Sequence, residues 1–289
     1  MSGQRKMKSY EELGFRDDFM FGKIMEDSEL CREVLERLLG HPISELKEVQ
    51  TQREFRHSVD GKPIRLDVYN EDSDGSIYDA EMENLNNKTV ESHQLPKRSR
   101  YYQGAIDIDY MDKGNSYKKL PESSVMFICT FDPFGKGFPL YTFRERCDEK
   151  PELTLNDGTM KVFFNCSYKG KDIPDALRKL YDYVEDGKAD DDLTKRIDAA
   201  VVKARKNSIW RTQYMKERVL LMDAREEGRE EGREEGREEG IQTGGDIRDF
   251  QRISDMLHRG KTVDEIVDFC GYSRELVESV EREMFTVTD

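Results

Sequence analysis

Two short runs of period two, residues 62–70 and 76–84, flank the acidic stretch Glu71-Asp72-Ser73-Asp74-Gly75, and this arrangement constrains the fold more than any other feature. Ile64, Leu66 and Val68 alternate with Arg65, Asp67 and Tyr69, as residues of a half-buried strand do. After the acidic stretch, Ile77, Asp79, Glu81 and Glu83 fall on one face and Tyr78, Ala80 and Met82 on the other. Asp and Ser bond to nearby backbone and Gly75 tolerates positive φ, so 71–75 reads as a turn. The two runs therefore read as strands joined by that turn.

The rest of the chain supplies what covers such a sheet. Residues 17–39 carry Phe21, Ile24, Met25, Leu30, Val34, Leu35, Leu38 and Leu39 at helical spacing, and Gly40 and Pro42 end the segment. Residues 47–56 read as extended. A helical region is expected over about 86–112, interrupted near Pro96. The continuous apolar run 124–131 has the pattern of a strand buried on both faces. Asn156-Asp157-Gly158 predicts a hairpin turn within 152–166. Residues 173–222 are again helical in pattern. The helix 86–112 lies between extended segments, where a crossover joins roughly parallel strands, so an α/β core is expected.

Past residue 222 the character changes. Residues 225–240 are four copies of Arg-Glu-Glu-Gly. Gly costs about 0.8–1 kcal/mol in a helix interior, so an isolated helix there is marginal. The segment reads as a solvated linker or, through its aligned Gly228, Gly232, Gly236 and Gly240, as a helix pairing with a second copy of the chain. Residues 246–282 read as a small helical element, two of its helices joined at Gly271. Its surplus of Asp and Glu favours helical packing over a role in a DNA groove.

With 37% charged residues and a net charge of −14, any nucleic-acid contact has to be local. Five scattered cysteines without a CxxC pair, in a chain without a signal-like stretch, are expected to be reduced thiols in the cytosol. No run approaches 18 apolar residues, so no membrane span is expected. The four histidines have no zinc-ligand spacing with any cysteine, and no phosphate-binding glycine loop or nucleophile-elbow motif occurs.

Asp67 and Glu81 are the candidate functional carboxylates, because each lies inside a strand pattern rather than at the turn. If the strands pair about 71–75, the two are neighbours across the ladder, although spacing alone does not fix whether they share a face. Facing carboxylates repel unless a cation lies between them, and oxygen ligands suit Mg²⁺ or Mn²⁺. The alternative is a solvated acidic hairpin. Between 88 and 119, seven basic residues, Lys88, Lys97, Arg98, Arg100, Lys113, Lys118 and Lys119, outnumber four acidic ones, a local patch suited to a phosphate backbone. Tyr101 and Tyr102 read first as core residues, with stacking beside that backbone as the functional alternative. Asp17 and Asp18 suit helix capping, and with Glu33 form a set of further possible ligands.

Asp67 followed by Asp79-Ala80-Glu81-Met82-Glu83, after a helix and on successive strands, resembles the PD-(D/E)XK nuclease fold, and specifically its recombination-promoting nuclease, or transposase-like, branch. The resemblance extends over 95–120, 127–143, 156–165 and 207–215 to the Glu/Gly/Arg repeat, roughly residues 10–240, and is most specific at Arg98-Ser99-Arg100-Tyr101-Tyr102-Gln103-Gly104 and in 127–135. It implies an αβββαβ restriction-endonuclease-like core with an added β-hairpin and C-terminal helices. The expected parts are a nuclease-like core with hairpin over 1–170, a helical extension over 171–222, a repeat linker helix over 223–245 and a helical element over 246–289.

The resemblance further implies Mg²⁺ or Mn²⁺ on Asp67 and Glu81, DNA as partner, and phosphodiester hydrolysis in recombination or transposition. Lys97, Arg98, Arg100 and Tyr101 would then face DNA. At the position two after Glu81 that branch carries Lys or Gln, whereas this chain has Glu83, which cannot donate a hydrogen bond when ionised. Glu83 is expected to add a ligand or orient the water. If it instead disables the site, the chain is a DNA-binding or protein-interaction module on the same fold. A third expectation is a helical adaptor that works through residues 220–289.

Overall fold

In the computed structural model, which describes residues 8–47, 49–55, 64–84, 94–111 and 116–286, the helix expected over 17–39 is two helices, α1 (Asp18–Met25) and α2 (Ser28–Leu39). The break is chemical. Asp27 caps α2 by accepting the Glu29 and Leu30 N–H groups, both at 3.1 Å, which satisfies donors that a continuous helix would have bonded internally. Gly40 ends α2 in the left-handed region, with φ +78°.

Three antiparallel strands follow, β1 (Gln50–Phe55), β2 (Ile64–Glu71) and β3 (Ile77–Glu83). The turn at 71–75 forms as expected. Asp72 is buried, and its carboxylate accepts from Asp74 N, Ser76 N and Tyr78 Oη at 3.0, 2.9 and 3.1 Å. Helix α3 (Leu95–Met111) crosses over to β4 (Ser123–Cys129), which runs parallel to β3 from Ile77↔Ser123 to Glu83↔Cys129. The expected beginning of that helix at 86, with Lys88, and its end at Asp112 with Lys113 beyond, lie outside the described residues. Pro96 does not interrupt α3. It is the second residue of the helix, where its missing N–H has no partner to lose.

Strand β6 (Thr159–Asn165) lies parallel to β4, and β5 (Leu140–Phe143) closes that edge antiparallel, giving a mixed sheet in the order β1-β2-β3-β4-β6-β5. The hairpin expected within 152–166 is therefore replaced by a β5–β6 pair joined through 144–158. Of its proposed first strand only Thr154 makes an isolated bridge, to Arg146. Both edges of β6 are already paired, and Leu153 and Leu155 stay exposed with no apolar face to enter. Asn156 (φ +53°) and Gly158 (φ +79°) make the turn that leads into β6.

The alternation of β4 divides the core. Met126 and Ile128, with Val68, Ala80 and Met82, pack against α1, α2, α4 (Asp175–Asp186) and α5 (Asp192–Ala204). Val125, Phe127 and Cys129, with Tyr69 and Ile77, pack against Leu95, Ala105 and Ile106 of α3. Every residue of β3 and β4 is buried, as strands covered by helices on both faces are. Cys31, Cys129 and Cys166 lie in these cores as free thiols.

The chain divides into two compact units at Met215 and Lys216. Helix α6 (Ser208–His258) carries the Arg-Glu-Glu-Gly repeat, which is helical throughout, and a Cβ placed on Gly228, Gly232, Gly236 or Gly240 would meet open space. In the second unit Ile253 of α6 packs with Ile266 of α7 (Val263–Cys270) and Val277 and Val280 of α8 (Arg274–Thr286). Among the described residues no helix is long and apolar enough to cross a membrane.

Asp72→Ala is expected to cost about 2–3 kcal/mol, because it strands three donors at a buried turn. Asp74→Ala, at an exposed position, is expected to stay within about 1 kcal/mol. Urea unfolding followed by circular dichroism checks the contrast.

Candidate functional site

Strands β2 and β3 pair from Glu71↔Ile77 to Val68↔Ala80 and then part. Beyond that point β2 stays with β1 through Leu66 and Ile64, while β3 stays with β4 through Glu83. Asp67 and Glu81 occupy the fork, and each carboxylate takes over a backbone donor that the parting strands leave behind. Glu81 Oε1 accepts Asp67 N at 2.7 Å, and Asp67 Oδ2 accepts Met82 N at 3.1 Å. The two acids are neighbours as expected, but not through the ladder, which ends at Val68↔Ala80; a reciprocal side-chain-to-backbone exchange joins them instead. Both are buried, at 8% and 2% exposure.

Two more acids join them. Asp79 and Glu83 alternate with Glu81 on the α3 face of β3. Asp79 is fully buried, and neither of its carboxylate oxygens receives a hydrogen bond. Arg98 of α3 ion-pairs with Glu83 and reaches Glu81 Oε2 at 3.4 Å. Its guanidinium lies 5.4 Å from the ring centroids of both Tyr102 and Phe127 and contacts Tyr102 Oη at 3.2 Å. A third of the Arg98 side chain remains accessible.

Burial governs the electrostatics. Desolvation first, and next the charge of Asp18 at the start of α1, raise the Asp67 pKa to about 7. Glu81 and Asp79 are pushed well above the usual carboxylate range, again by burial first and by Asp67 next. Burial works against the charge of Arg98, but Glu83, Tyr102 and Glu81 together outweigh it and the Arg98 pKa rises.

The remaining sequence candidates divide. Lys97, Arg100 and Tyr101 lie on the exposed side of α3, with Tyr101 47% exposed. The core expectation for Tyr101 therefore fails while that for Tyr102 holds, because helical rotation carries only Tyr102 onto Phe127, where the rings stack at 6.2 Å. Asp17 stands at the N-cap of α1 but makes no cap bond there, and instead holds Lys8 and Gly14 N. Glu33 is engaged by Arg196 of α5. Two neighbours of Asp67 were not singled out by sequence reasoning as site residues. Asp79 shares the period-two face of Glu81, a signal present in the sequence, whereas Gln52, with Nε2 3.4 Å from Asp67 Oδ1, has no such signal.

Asp67 and Glu81 are the carboxylates whose positions would let them share a cation. Among the described residues no three His, Cys, Asp or Glu side chains converge as a ligand set, so such a cation would keep water or take a neutral oxygen. No protein-family model, curated protein or solved structure matches this chain.

A carboxyl whose pKa is raised by folding stabilises the fold fully below its unfolded pKa and loses that contribution as pH rises through the folded value. Without divalent cations, the wild type is therefore expected to lose stability relative to Asp67→Asn steadily between about pH 4 and pH 7, with the loss levelling off above about 7. Urea midpoints of both proteins across that range test the sign.

Proposed function

We propose that the chain is a metal-dependent DNA endonuclease with a PD-(D/E)XK-like core, acting in DNA recombination or transposition in the cytoplasm. The observation that carries this reading is the strand fork. It presents Asp67 and Glu81 together in a buried seam, next to a helix whose exposed side bears Lys97, Arg100 and Tyr101. The element order supports it, with α1 and α2, then β1, β2 and β3, then α3 and β4.

The donor set fits Mg²⁺ or Mn²⁺. Asp67 and Glu81 offer only oxygen, and the four buried acids outnumber Arg98, the guanidinium that pairs with Glu81 and Glu83, which suits a hard cation. Mg²⁺ held by Asp67 and Glu81 would supply an acidified water and neutralise charge on the phosphate. The protein groups do the rest. Arg98, paired with Glu83 and lying over Phe127 and Tyr102, would offer its remaining donors to a phosphate oxygen. Lys97 and Arg100 hold the backbone beyond it, and Tyr101 offers a stacking face. Glu83 carries no donor itself and acts by fixing Arg98.

The same Glu83–Arg98 pair supports a second reading. If the pair stays closed, Arg98 is withheld from phosphate and the fold serves as a DNA-binding or protein-interaction module without cleavage.

Relaxation of supercoiled plasmid with Mg²⁺ or Mn²⁺ tests the proposal. Asp67→Ala and Glu81→Ala are each expected to lower the rate by at least about a hundredfold. Wild-type cleavage no faster than that of Asp67→Ala would leave the module reading. In gel shifts, Lys97→Ala and Arg100→Ala are each expected to reduce the slope of log affinity against log salt by about one.

A further inference from the structure

Gln52 has backbone and side-chain features that its place in a strand does not require. It lies within β1, where extended backbone is the norm, yet its φ is +52°. The other non-glycine residue with positive φ among the described ones is Asn156, a turn asparagine, a type that tolerates this region far better than glutamine. The distortion does not shift the register, because Thr51↔Val68 and Arg53↔Leu66 continue the ladder on either side. The one pair missing between them is Gln52 with Asp67. Backbone strain held by its surroundings in this way gathers at functional positions.

The side chain shows a second anomaly. Its Nε2 makes a long 3.4 Å contact with Asp67 Oδ1, while its Oε1 is buried and receives no hydrogen bond. A buried amide oxygen without a donor asks for a water or a cation. Space for the amide is provided by α1, where Gly22 stands against it. A Cβ on Gly22 would lie 3.4 Å from Gln52 Nε2, 3.7 Å from Thr51 Cβ and 3.8 Å from the Asp67 carbonyl oxygen. A half-turn of the terminal amide exchanges N and O and sets the oxygen beside Asp67 Oδ1.

We propose that Gln52 is a ligand residue, supplying a neutral amide oxygen to the divalent cation held by Asp67 and Glu81; this rests on the reading of those two acids as a cation site. It accounts for the shortage of a third converging acid, since hard cations accept amide carbonyl oxygens as readily as they accept water. It also accounts for the twisted backbone, which turns the residue out of the strand's alternation and toward Asp67.

Calorimetric titration of the full-length protein with Mn²⁺ alone, paired with melting of the metal-free protein, tests this. Gln52→Met keeps length but loses the oxygen, and is expected to weaken Mn²⁺ binding about tenfold or more. Gln52→Glu keeps an oxygen and is expected to bind at least as tightly as wild type. That variant separates the proposal from simple positioning. If Gln52 only steadied Asp67 by donating Nε2, the glutamate would repel Asp67 and weaken binding. Gln52→Gly, which accepts the positive φ, is expected to melt no lower than wild type and yet to bind Mn²⁺ as weakly as Gln52→Met. Wild-type affinity in Gln52→Met, or weakened affinity in Gln52→Glu, overturns the role of Gln52 and leaves the Asp67–Glu81 site standing. No Mn²⁺ binding by the wild type at millimolar concentration overturns both.

Discussion

The fork between β2 and β3 is the constraint on which the rest of the site depends. A sheet that parts in its interior exposes backbone donors that neither water nor a neighbouring strand can satisfy, and unsatisfied donors in a buried seam are costly. Here the vacancies are filled by Asp67 and Glu81, each bonding the backbone of the opposite strand. The carboxylates are thereby part of the sheet's own bonding. Their backbone bonds fix their positions at the point where the strands part. Ala80 and Val68, the last paired residues before the fork, face the helices on the other side of the sheet and keep the ladder closed up to that point.

Concentrating acids in this seam carries an electrostatic cost. Asp67, Asp79, Glu81 and Glu83 are all buried, and Arg98 is the cation that the described contacts bring to them. Burial raises the pKa values of Asp67, Asp79 and Glu81, which is the response of carboxyls held in low dielectric without enough counter-charge. Perturbation of this kind also occurs in structural networks, but here it coincides with an oxygen-lined fork, a fully buried Asp79 and a left-handed Gln52. Several departures from local rules at one place are what strained or functional positions have in common.

Much of this was legible in the sequence. Period-two alternation marks β2 and β3 as strands and the continuous apolar run marks β4, but alternation suggests one covered face, whereas β3 is buried on both and β2 sends Leu66 and Val68 into opposite cores. The acids inside those patterns stood out from Glu71 and Asp74 at the turn by their position within a strand. What escaped had no periodic signal. The break between α1 and α2 depends on the Asp27 cap, which competes with an unbroken apolar stripe. The pairing of β6 with β5 rather than with 152–155 depends on which edges are already occupied, a property of the whole sheet. Gln52 belongs to the same class. A positive φ in a strand leaves no mark on composition or spacing, and its significance comes only from lying opposite Asp67.

Glu83 shows how a local departure is resolved by tertiary contact. Taken along β3 alone, Glu83 is one more acid in the seam, an acceptor with no donor to offer when ionised. Across the α3 face that acid grips Arg98, whose guanidinium lies 5.4 Å from the centroids of Phe127 on β4 and Tyr102 on the helix. The positive charge therefore originates on α3 but is delivered at the level of β3. A planar guanidinium held on one edge by a carboxylate keeps donors on its accessible side, which a lone lysine ammonium at the same depth would spend on its neighbours. The acid at 83 and the arginine at 98 are best understood as one unit, in which the carboxylate sets the geometry and the guanidinium presents the charge.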